Sequence, residues 1–381
     1  MHPLKSNGFV SYDETGGHRT DPLPGTLTAA VVGTGRGAEH LRWLADCPGV
    51  TPLTVPGDEA SDRIREGGLD VVVVASPTHT HQDLVAEALR QDLAVVCETP
   101  LAPGVPAALA LTTLAAERGA QARVPFQWRT NNALGQARSA LLHGEIGDLL
   151  TVDIALHDDS HLGPGTRWPW RERRETAGGG AMAELGTHAL DLLSWSTGLG
   201  TWDVESAWAQ RLYDSRRGPQ GQVEVDVDDI AQAELRPLGS AARARVHVSR
   251  ISPEGRQLYF TAVGSRGTLR VVAEAKNGSA TLVLTTGARS LRATVGPHSM
   301  NPYRAPASAG ADPALTGLTG LTGLTGLTGL TGLTGLTGLT GLTGLTDGAG
   351  LGTFDEALAA VHLVEAAQRR SVQRDPEVPW R

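Results

Sequence analysis

Cysteine is nearly absent from this chain of 381 residues, which contains only Cys47 and Cys97. Two cysteines exclude a disulfide framework and a cysteine-rich zinc site. No run of roughly 18 apolar residues occurs, so no membrane-spanning helix is expected. Residues 1–25 are polar and lack the apolar centre of a signal peptide. We therefore expect a cytoplasmic protein with no membrane partner.

Lysine is equally scarce. Lys5 and Lys276 are the only two, so the other 31 of the 33 basic residues are arginine. Against 41 acidic residues they leave a net charge of −8. That balance argues against a nucleic-acid partner, which a protein binds through a basic stripe that displaces counterions. It also leaves almost no lysine for chemistry.

Short apolar strands alternate with helices over residues 26–128. The strand-like runs begin with LTAAVV at Leu27–Val32 and include DVVVVA at residues 70–75, whose β-branched residues are typical of a strand buried on both faces. Helical patterns lie between the strands, for example over residues 82–90 and 106–118. The alternation predicts a doubly wound α/β domain.

The pattern changes after residue 128. Residues 129–310 contain a helical segment at Asn132–Leu142, an alternating strand at Leu149–His157, and a glycine-rich entry to a helix at residues 178–195. Several strand-like runs follow one another over residues 204–272. This order predicts a second, α+β domain built on a large open, mostly antiparallel sheet.

Residues 311–350 are dominated by ten uninterrupted Leu-Thr-Gly triplets. Glycine at every third position disfavours both helix and strand, and the repeat contains no proline that would support a collagen-like helix. We interpret the tract as a flexible linker that arose by triplet expansion; an interaction segment is the alternative. Residues 351–381 contain an amphipathic helical pattern, which predicts a C-terminal helix that returns to the fold. Residues 1–25 are expected to be a disordered tail.

Gly33, Thr34, Gly35, Arg36 and Ala38 belong to a G-x-G-x-x-A motif that follows the first strand and opens a helix. In such a motif the first glycine permits a tight turn, and the second lets the backbone approach a pyrophosphate. The third small residue lets helix and strand pack closely, and the helix N-terminus supplies amide donors. The motif predicts a dinucleotide cofactor, NAD or NADP; a glycine turn of purely structural origin is the alternative.

The acidic residue that usually binds the adenosine ribose, about 20 residues after the motif, is not evident. The second strand ends at Val55, and Asp58 follows behind a Pro-Gly turn. Asp58 could bind the ribose hydroxyls, or it could be a solvated turn residue. The choice between NAD and NADP therefore stays open.

Several stretches, in this order, resemble the Gfo/Idh/MocA family, which is named for glucose–fructose oxidoreductase and inositol dehydrogenase. They are AAVVGTGRGAEH, VVVVASPTHTHQDLVAEAL, VVCETPLA, HGEIGDLLTV, WPWRE…AGGGAMAELGTHALDLLSW and FDEALAAVHLVEAAQRRS, and they span most of residues 27–371. The resemblance implies an N-terminal Rossmann domain and a C-terminal domain. Because the open sheet of the C-terminal domain often mediates oligomers in the family, it also implies a homo-oligomer, a dimer or tetramer.

The resemblance also implies where the cofactor lies. Glu98 stands where the family has a glutamate that contacts the nicotinamide-side ribose. His81 is expected to lie beside the cofactor or to be a structural residue at the entry of a helix. The positions expected beside the cofactor, in addition to the glycine motif, are Ser76, Pro77, Thr78, His81, Glu98, Trp170 and Arg171.

His188 stands where the family has its proposed general base. Oxidising a sugar alcohol transfers a hydride to the nicotinamide and a proton to a base, and histidine suits that role because its unperturbed pKa lies near neutrality. Glu184 lies four residues before His188, on the same helix face, and is expected to orient the imidazole. A surface Glu–His pair or two metal ligands are the alternatives; we expect no metal.

Thr99 departs from the family pattern. It stands where the family has a lysine that hydrogen-bonds the reacting hydroxyl, so a neutral contact remains unless Arg129, Arg167 or Arg171 substitutes. Loss of a preorganised charged donor typically costs about 10²–10³ in rate. Glu184 is a smaller departure, because it replaces an aspartate with a side chain one methylene longer.

The region between the second and third strands is also short. Only 14 residues separate Val55 from Asp70, where the family has a further helix and an edge strand. The adenosine half of the cofactor site is therefore expected to be reduced.

Together these features predict an NAD(P)-dependent oxidoreductase, an enzyme that acts on a CH–OH group of a sugar, cyclitol or nucleotide sugar. The Arg and Ala bias resembles that of secondary-metabolism enzymes and suggests antibiotic biosynthesis. One alternative is a catalytically reduced family member that serves as a partner or regulatory subunit. Another is an NADP-linked reductase of imines or biliverdin-like compounds, which needs no such lysine. The candidate substrate-pocket residues are Arg129, His161, Arg167 and Trp168.

Overall fold

The computed structural model describes residues 26–303 and 350–373. The predicted tail at residues 1–25 and the Leu-Thr-Gly triplets lie outside the described residues. Two sheets, each covered by helices, organise the described part of the chain. No helix within it is both long and apolar enough to cross a bilayer.

The first domain alternates strands and helices, as the sequence pattern predicts. Its five strands are parallel, in the order β5-β4-β3-β1-β2. Ala30 and Val32 of β1 pack with α2, α3 and α4 on one face, whereas Ala29 and Val31 pack with α1 on the other. The elements are β1 (Leu27–Val32), α1 (Gly37–Ala45), β2 (Val50–Val55), α2 (Ala60–Arg65), β3 (Val71–Val74), α3 (His81–Arg90), β4 (Ala94–Cys97), α4 (Val105–Arg118) and β5 (Ala122–Pro125).

The segment between β2 and β3 contains a helix that the sequence pattern does not predict. α2 is only six residues long, but Ala60 and Ile64, one turn apart, are buried in the core. β2 is the last strand at this edge of the described sheet. Between β2 and β3 the described chain therefore has one short helix and no additional strand; the reduced adenosine half of the cofactor site stays a prediction.

The second domain places helices on one face of a large sheet. Between Leu149 and Val295 the strands of this sheet pair antiparallel, except that β6 and β11 are parallel, while β8 and β9 pair with each other in a separate two-stranded sheet. Val152, Ile154 and Leu156 of β6 are buried under α5 and α7, while the residues between them face outward. The elements are α5 (Asn132–Leu142), β6 (Leu149–His157), α6 (Arg174–Ala177), α7 (Thr187–Thr197), β7 (Trp202–Gln210), β8 (Ser215–Gly218), β9 (Gly221–Glu224), β10 (Ile230–Pro237), β11 (Arg243–Ser249), β12 (Gln257–Gly264), β13 (Gly267–Glu274), β14 (Ala280–Thr286) and β15 (Arg289–Val295).

The C-terminal segment joins both domains. β16 (Leu351–Thr353) pairs antiparallel with β5, α8 (Phe354–Arg370) follows, and β17 (Ser371–Gln373) pairs parallel with β7. Thr353 and Glu356 form a capping box that starts α8. Phe354 packs in the first core and Val364 in the second. The predicted return of the chain to the fold thus ties the two domains together.

Candidate active site

The carboxyl ends of β1 and β3 lie side by side at the point where the strand order reverses. β1 pairs with β2 on one side and β3 on the other, and parallel sheets bind ligands where the strand order reverses. Gly33 follows β1 with φ of +117°, and a Cβ there would lie 2.3 Å from the Ala75 carbonyl oxygen. Gly35 is exposed, with no atom within 4 Å of where its Cβ would be. The backbone at Gly35, just before the N-terminus of α1, is therefore open to a phosphate ligand.

The small residue that packs α1 against the sheet is Gly37 rather than Ala38. Gly37 is buried, and its Cβ would lie 3.4 Å from Val31 Cγ1. Ala38 and Thr34 are exposed. The packing role predicted for Ala38 is wrong. α1 begins at Gly37, and it is Gly37 that faces β1.

The loop after β3 is tied to the loop after β4 by His81. Its Nδ1 lies 3.1 Å from the Pro100 carbonyl oxygen, and its Nε2 lies 3.0 Å from that of Ser76. Burial lowers the pKa of His81, which is 1% exposed. The ring has no surface left for a cofactor, so His81 is structural here. Ser76 and Pro77 are partly exposed, whereas Thr78 is buried.

Glu98, at the end of β4, is surrounded by hydrogen-bond donors. Its Oε1 accepts from Arg36 Nε at 3.0 Å and lies 2.8 Å from His40 Nε2, and its Oε2 accepts from the Thr99 amide at 3.1 Å. Burial by itself raises the pKa of Glu98, but Arg36 and His40 outweigh it and hold that pKa well below its usual range. Arg36 also donates to Gln127 at 2.8 Å. The arginine thus reaches from the glycine loop to the ends of β4 and β5.

His188 lies one residue into α7, beside Thr99. The helix is entered through a π-helical turn at Met182–Gly186, a feature often found at functional sites. His188 Nε2 lies 3.1 Å from Thr99 Oγ1. Burial lowers the pKa of His188 to about 4; Glu98 opposes this shift and Arg36 adds to it. The imidazole is therefore neutral near pH 7 and can accept a proton.

Glu184 does not orient His188. Its carboxylate pairs with the Arg171 guanidinium, and His188 Nδ1 is buried without a hydrogen-bond partner among the described residues. Arg171 lies over the rings of Trp168 and Trp170, at 5.4 and 4.7 Å from their centroids. Burial raises the pKa of Glu184, but Arg171 together with His161, Arg250 and Arg256 outweighs it and lowers that pKa to about 2. The expected Glu–His contact is wrong, because the Glu184 carboxylate pairs with the Arg171 guanidinium instead. A guanidinium–carboxylate pair is stronger than a hydrogen bond to a neutral imidazole.

His161 belongs to a buried charge network rather than to an open pocket. Its Nε2 lies 3.3 Å from Glu172 Oε1. Arg250 donates to Glu172 at 2.9 Å and to Asp229 at 2.8 Å, and Arg216 donates to Asp229 at 2.8 Å. Two arginines thus offset two buried carboxylates, which would otherwise be destabilised. His161 is 1% exposed, so its assignment to the substrate pocket is wrong.

Arg129 is likewise engaged in a buried pair. Its Nε donates to Asp191 at 2.9 Å and its Nη1 donates to Glu356 at 3.3 Å. Burial raises the pKa of Asp191 to about 6 although Arg129 opposes the shift. This cluster links α7 with α8, so the expectation that Arg129 binds substrate or replaces the family lysine is wrong. Arg167 and Trp168 are exposed and remain available to a ligand.

Asp228 positions the helix of His188 and is a residue that the sequence pattern does not identify. Its carboxylate accepts from the amides of Gly180 at 3.1 Å and Met182 at 2.8 Å, satisfying donors at the start of that helix. A Cβ at Gly180 would lie 1.8 Å from the Asp228 carbonyl oxygen. The three consecutive glycines at 178–180 are the available signal, because they mark a close backbone approach.

The adenosine end of the expected cofactor site has no acid directly at the end of β2. That strand ends at Val55, and Asp58 is exposed beyond it. Within residues 26–303 and 350–373, no three His, Cys, Asp or Glu side chains converge as metal ligands. The groups suited to a dinucleotide are concentrated at the glycine loop and around Glu98.

Two regions of the chain match sequence profiles of one family. Residues 57–126 match the oxidoreductase family with an NAD-binding Rossmann fold, and residues 134–270 match the GFO/IDH/MocA C-terminal domain. The two matches together cover more than half of the chain.

One relative is levoglucosan dehydrogenase of Pseudarthrobacter phenanthrenivorans, which is 27% identical over 210 residues. That alignment covers 52% of this chain and 53% of the relative, so it spans about half the length of each. The solved structure of levoglucosan dehydrogenase in complex with NADH has a TM-score of 0.69 and 19% identity, over 91% of this chain and 98% of that one. GenD2 from gentamicin A biosynthesis, in complex with NAD, has a TM-score of 0.64 and 20% identity, over 95% and 97%. At these identities the structural matches show the fold.

Proposed function

This chain belongs to the Gfo/Idh/MocA family of oxidoreductases, with its NAD-binding Rossmann domain, and from that premise we propose the reaction that it catalyses. The protein transfers a hydride between NAD and a hydroxyl or keto carbon of a sugar, cyclitol or nucleotide sugar. The observation that carries the proposal is the 3.1 Å contact between His188 Nε2 and Thr99 Oγ1, next to the carboxyl end of β4.

NAD, when bound, accepts or supplies the hydride at its nicotinamide ring. We place its pyrophosphate at Gly33, Gly35 and the N-terminus of α1, where the backbone of Gly35 is exposed and the helix N-terminus favours an anion. Glu98 offers a carboxylate acceptor to the hydroxyls of the nicotinamide-side ribose. The other residues proposed to flank the cofactor are Thr34, Arg36, Ser76, Pro77, Trp170 and Arg171.

His188 accepts the proton of the substrate hydroxyl in the oxidative direction. Its lowered pKa, about 4, keeps the imidazole neutral and able to act as a base. Thr99 supplies one neutral hydrogen bond where the family has a charged lysine. Arg171 does not restore that charge, because it is paired with Glu184. We therefore expect turnover to be slower than in a site with the lysine, by about 10²–10³.

Trp168 and Arg167 form the proposed substrate side of the site. Trp168 is 38% exposed and lies over Arg171, so its ring presents an apolar surface to the C–H face of a sugar. The exposed guanidinium of Arg167 can donate to hydroxyl or phosphate oxygens. The similarity to levoglucosan dehydrogenase supports a sugar-like substrate, and the similarity to GenD2 supports a role in antibiotic biosynthesis.

A homo-oligomer is proposed to form through the outward face of the large sheet. Tyr259, His157, His247 and Trp208 form a row of contacting rings across that face. Leu212, which follows the end of β7, is 40% exposed. A second copy of the chain would bury these rings, and mass measurement in solution by light scattering tests the proposal.

A catalytically reduced protein that acts as a partner or regulatory subunit is the second candidate. Thr99 favours it, because the family lysine is missing. The contact of Arg36 with Glu98 also favours it, because the guanidinium already occupies the carboxylate proposed for the ribose.

Titration with NADH and NADPH, followed through tryptophan quenching, separates the two candidates. Saturable binding followed by oxidation of a sugar or nucleotide sugar supports the enzyme. In that case His188→Ala should bind NADH normally and lose turnover, and Thr99→Lys should raise kcat. A folded protein that binds neither nucleotide would exclude an independent dehydrogenase and favour the partner role.

A further inference from the structure

His40 is a buried histidine that the proposed reaction does not use. It lies on α1 and is 0% exposed. Its Nε2 lies 2.8 Å from Glu98 Oε1, and its Nδ1 contacts the Tyr303 hydroxyl. The three side chains form a continuous hydrogen-bonded chain that ends at the carboxylate proposed to bind the ribose.

Glu98 depends on its donors because it is almost completely buried, at 6% exposed. A buried carboxylate is destabilised unless it is paired or hydrogen-bonded. Its Oε1 has two partners, Arg36 and His40. Arg36 comes from the glycine loop and is shared with Glu39 and Gln127, whereas His40 is fixed in the core. His40 is therefore the partner that sets the orientation of Oε1.

Glu98 and Tyr303 together fix which nitrogen of His40 carries the proton. A neutral imidazole has one N–H and one acceptor nitrogen. A carboxylate only accepts hydrogen bonds, so the N–H is on Nε2, which donates to Glu98, and Nδ1 is the acceptor. The Tyr303 hydroxyl, whose pKa burial raises well above its usual value, stays protonated and donates to Nδ1, which supports the tautomer that donates to Glu98. Partners outside the ligand shell commonly select histidine tautomers in this way.

Tyr303 is itself held in place. Its amide donates to Asn301 Oδ1 at 2.9 Å, and Asn301 Nδ2 donates to the Trp43 carbonyl oxygen at 3.2 Å. Tyr303 is 2% exposed and lies in the core between α1 and the parallel sheet, although in sequence it follows β15 of the other domain. The segment that leaves the second sheet thus reaches the first domain through two hydrogen bonds, from Asn301 to Trp43 and from Tyr303 to His40.

We propose that Tyr303 is a positioning residue for dinucleotide binding, which orients the Glu98 carboxylate through His40 toward the nicotinamide-side ribose. This inference rests on the proposed function, because it takes Glu98 as the ribose ligand. It gives a cofactor-site role to a residue that lies far outside the Rossmann sequence and touches no ligand.

The test compares ADP-ribose, which carries that ribose, with ADP, which lacks it. Tyr303→Phe removes the hydroxyl and keeps the buried ring. By titration calorimetry it should weaken ADP-ribose binding about fivefold, the factor that a hydrogen bond of ~1 kcal/mol represents, and leave ADP binding unchanged. Tyr259→Phe is the matched control, because it removes a phenol hydroxyl from the outward face of the large sheet; it should change neither affinity.

A second variant separates positioning from general loosening. His40→Gln should also weaken ADP-ribose binding selectively, and it carries the test alone if Tyr303→Phe does not fold. Because the hydroxyl acts through His40, adding Tyr303→Phe to His40→Gln should bring no further loss. Equal losses for both nucleotides, additive losses, or unchanged ADP-ribose affinity in a folded variant would each overturn the positioning role. A wild-type protein that binds neither nucleotide would instead refute the proposed function, and the inference with it.

Discussion

Acidification tests the environment of His188 directly. Burial and the charge of Arg36 lower the pKa of His188 from 6.5 to about 4, although the charge of Glu98 opposes the shift. We expect the ring resonances of His188 to titrate near pH 4 in an NMR titration, with the assignment made by their loss in His188→Gln. If His188 is the base, the acid limb of kcat/KM should also lie near pH 4, because the base is protonated only below its pKa.

The same shift makes stability depend on pH. Above pH 6.5 His188 is neutral in both the folded and the unfolded state and contributes no pH dependence. As the pH falls from 6.5 toward 4, the unfolded state binds a proton that the folded state does not, so the free energy of unfolding decreases. The shift from 6.5 to about 4 corresponds to a loss of ~3 kcal/mol.

Urea unfolding of the wild type and His188→Gln, each at neutral pH and near pH 4.5, isolates this contribution. The wild type should lose ~2 kcal/mol more than the variant, because most of the shifted interval lies above that pH. His143→Gln, which replaces an exposed histidine after α5, should behave like the wild type. A His188 resonance that titrates at about pH 6 or above, or an equal pH dependence in wild type and His188→Gln, contradicts a buried neutral imidazole.

Three further predictions concern the glycine loop, Thr99 and Arg129. Gly33→Ala should lower the thermal midpoint and abolish NADH binding, because the added Cβ meets a carbonyl oxygen at 2.3 Å. Gly35→Ala adds a Cβ in open space, so it should weaken NADH binding without lowering the midpoint. An unchanged midpoint in Gly33→Ala would refute the steric argument. Thr99→Val should lower kcat about five- to tenfold while Thr99→Ser keeps most of it; equal rates in the two variants would exclude a role for the hydroxyl. Arg129→Met should cost ~3 kcal/mol or more in urea unfolding, because it leaves the buried Asp191 carboxylate without its cation. Adding Asp191→Leu should recover part of that loss, and a stable single variant would show that the pair contributes little.

The parallel sheet could be predicted because its signal is local. An apolar, β-branched run identifies a strand without knowledge of its neighbours: β1 occupies the predicted residues, and β3 lies within the predicted run at residues 70–75. α2 could not be predicted, because six residues contain too few turns for a helical period to stand out. Its two buried residues, Ala60 and Ile64, become recognisable only against the sheet.

The partners of the site residues were less predictable than the residues themselves. Thr99 and His188 are 89 positions apart, and their contact is expected only through the family resemblance. Arg171 has Glu172 and Glu175 much nearer in sequence than Glu184, so proximity along the chain does not select the pair. His40 has no spacing that connects it to Glu98, since α1 and β4 meet only in the folded chain.

The sequence by itself determined the alternation of strands and helices, the tight glycine turn at Gly33 and the change to an antiparallel sheet. Each of these depends on backbone conformation or on the local period of apolar residues. Only the tertiary structure decided that Arg129 and His161 are buried partners of carboxylates and that Arg171 pairs with Glu184. It also decided that the segment after β15, with Asn301 and Tyr303, reaches the first domain. Ion pairs and hydrogen bonds act over about 3 Å between side chains from distant segments, so their choice of partner follows from packing rather than from the order of residues.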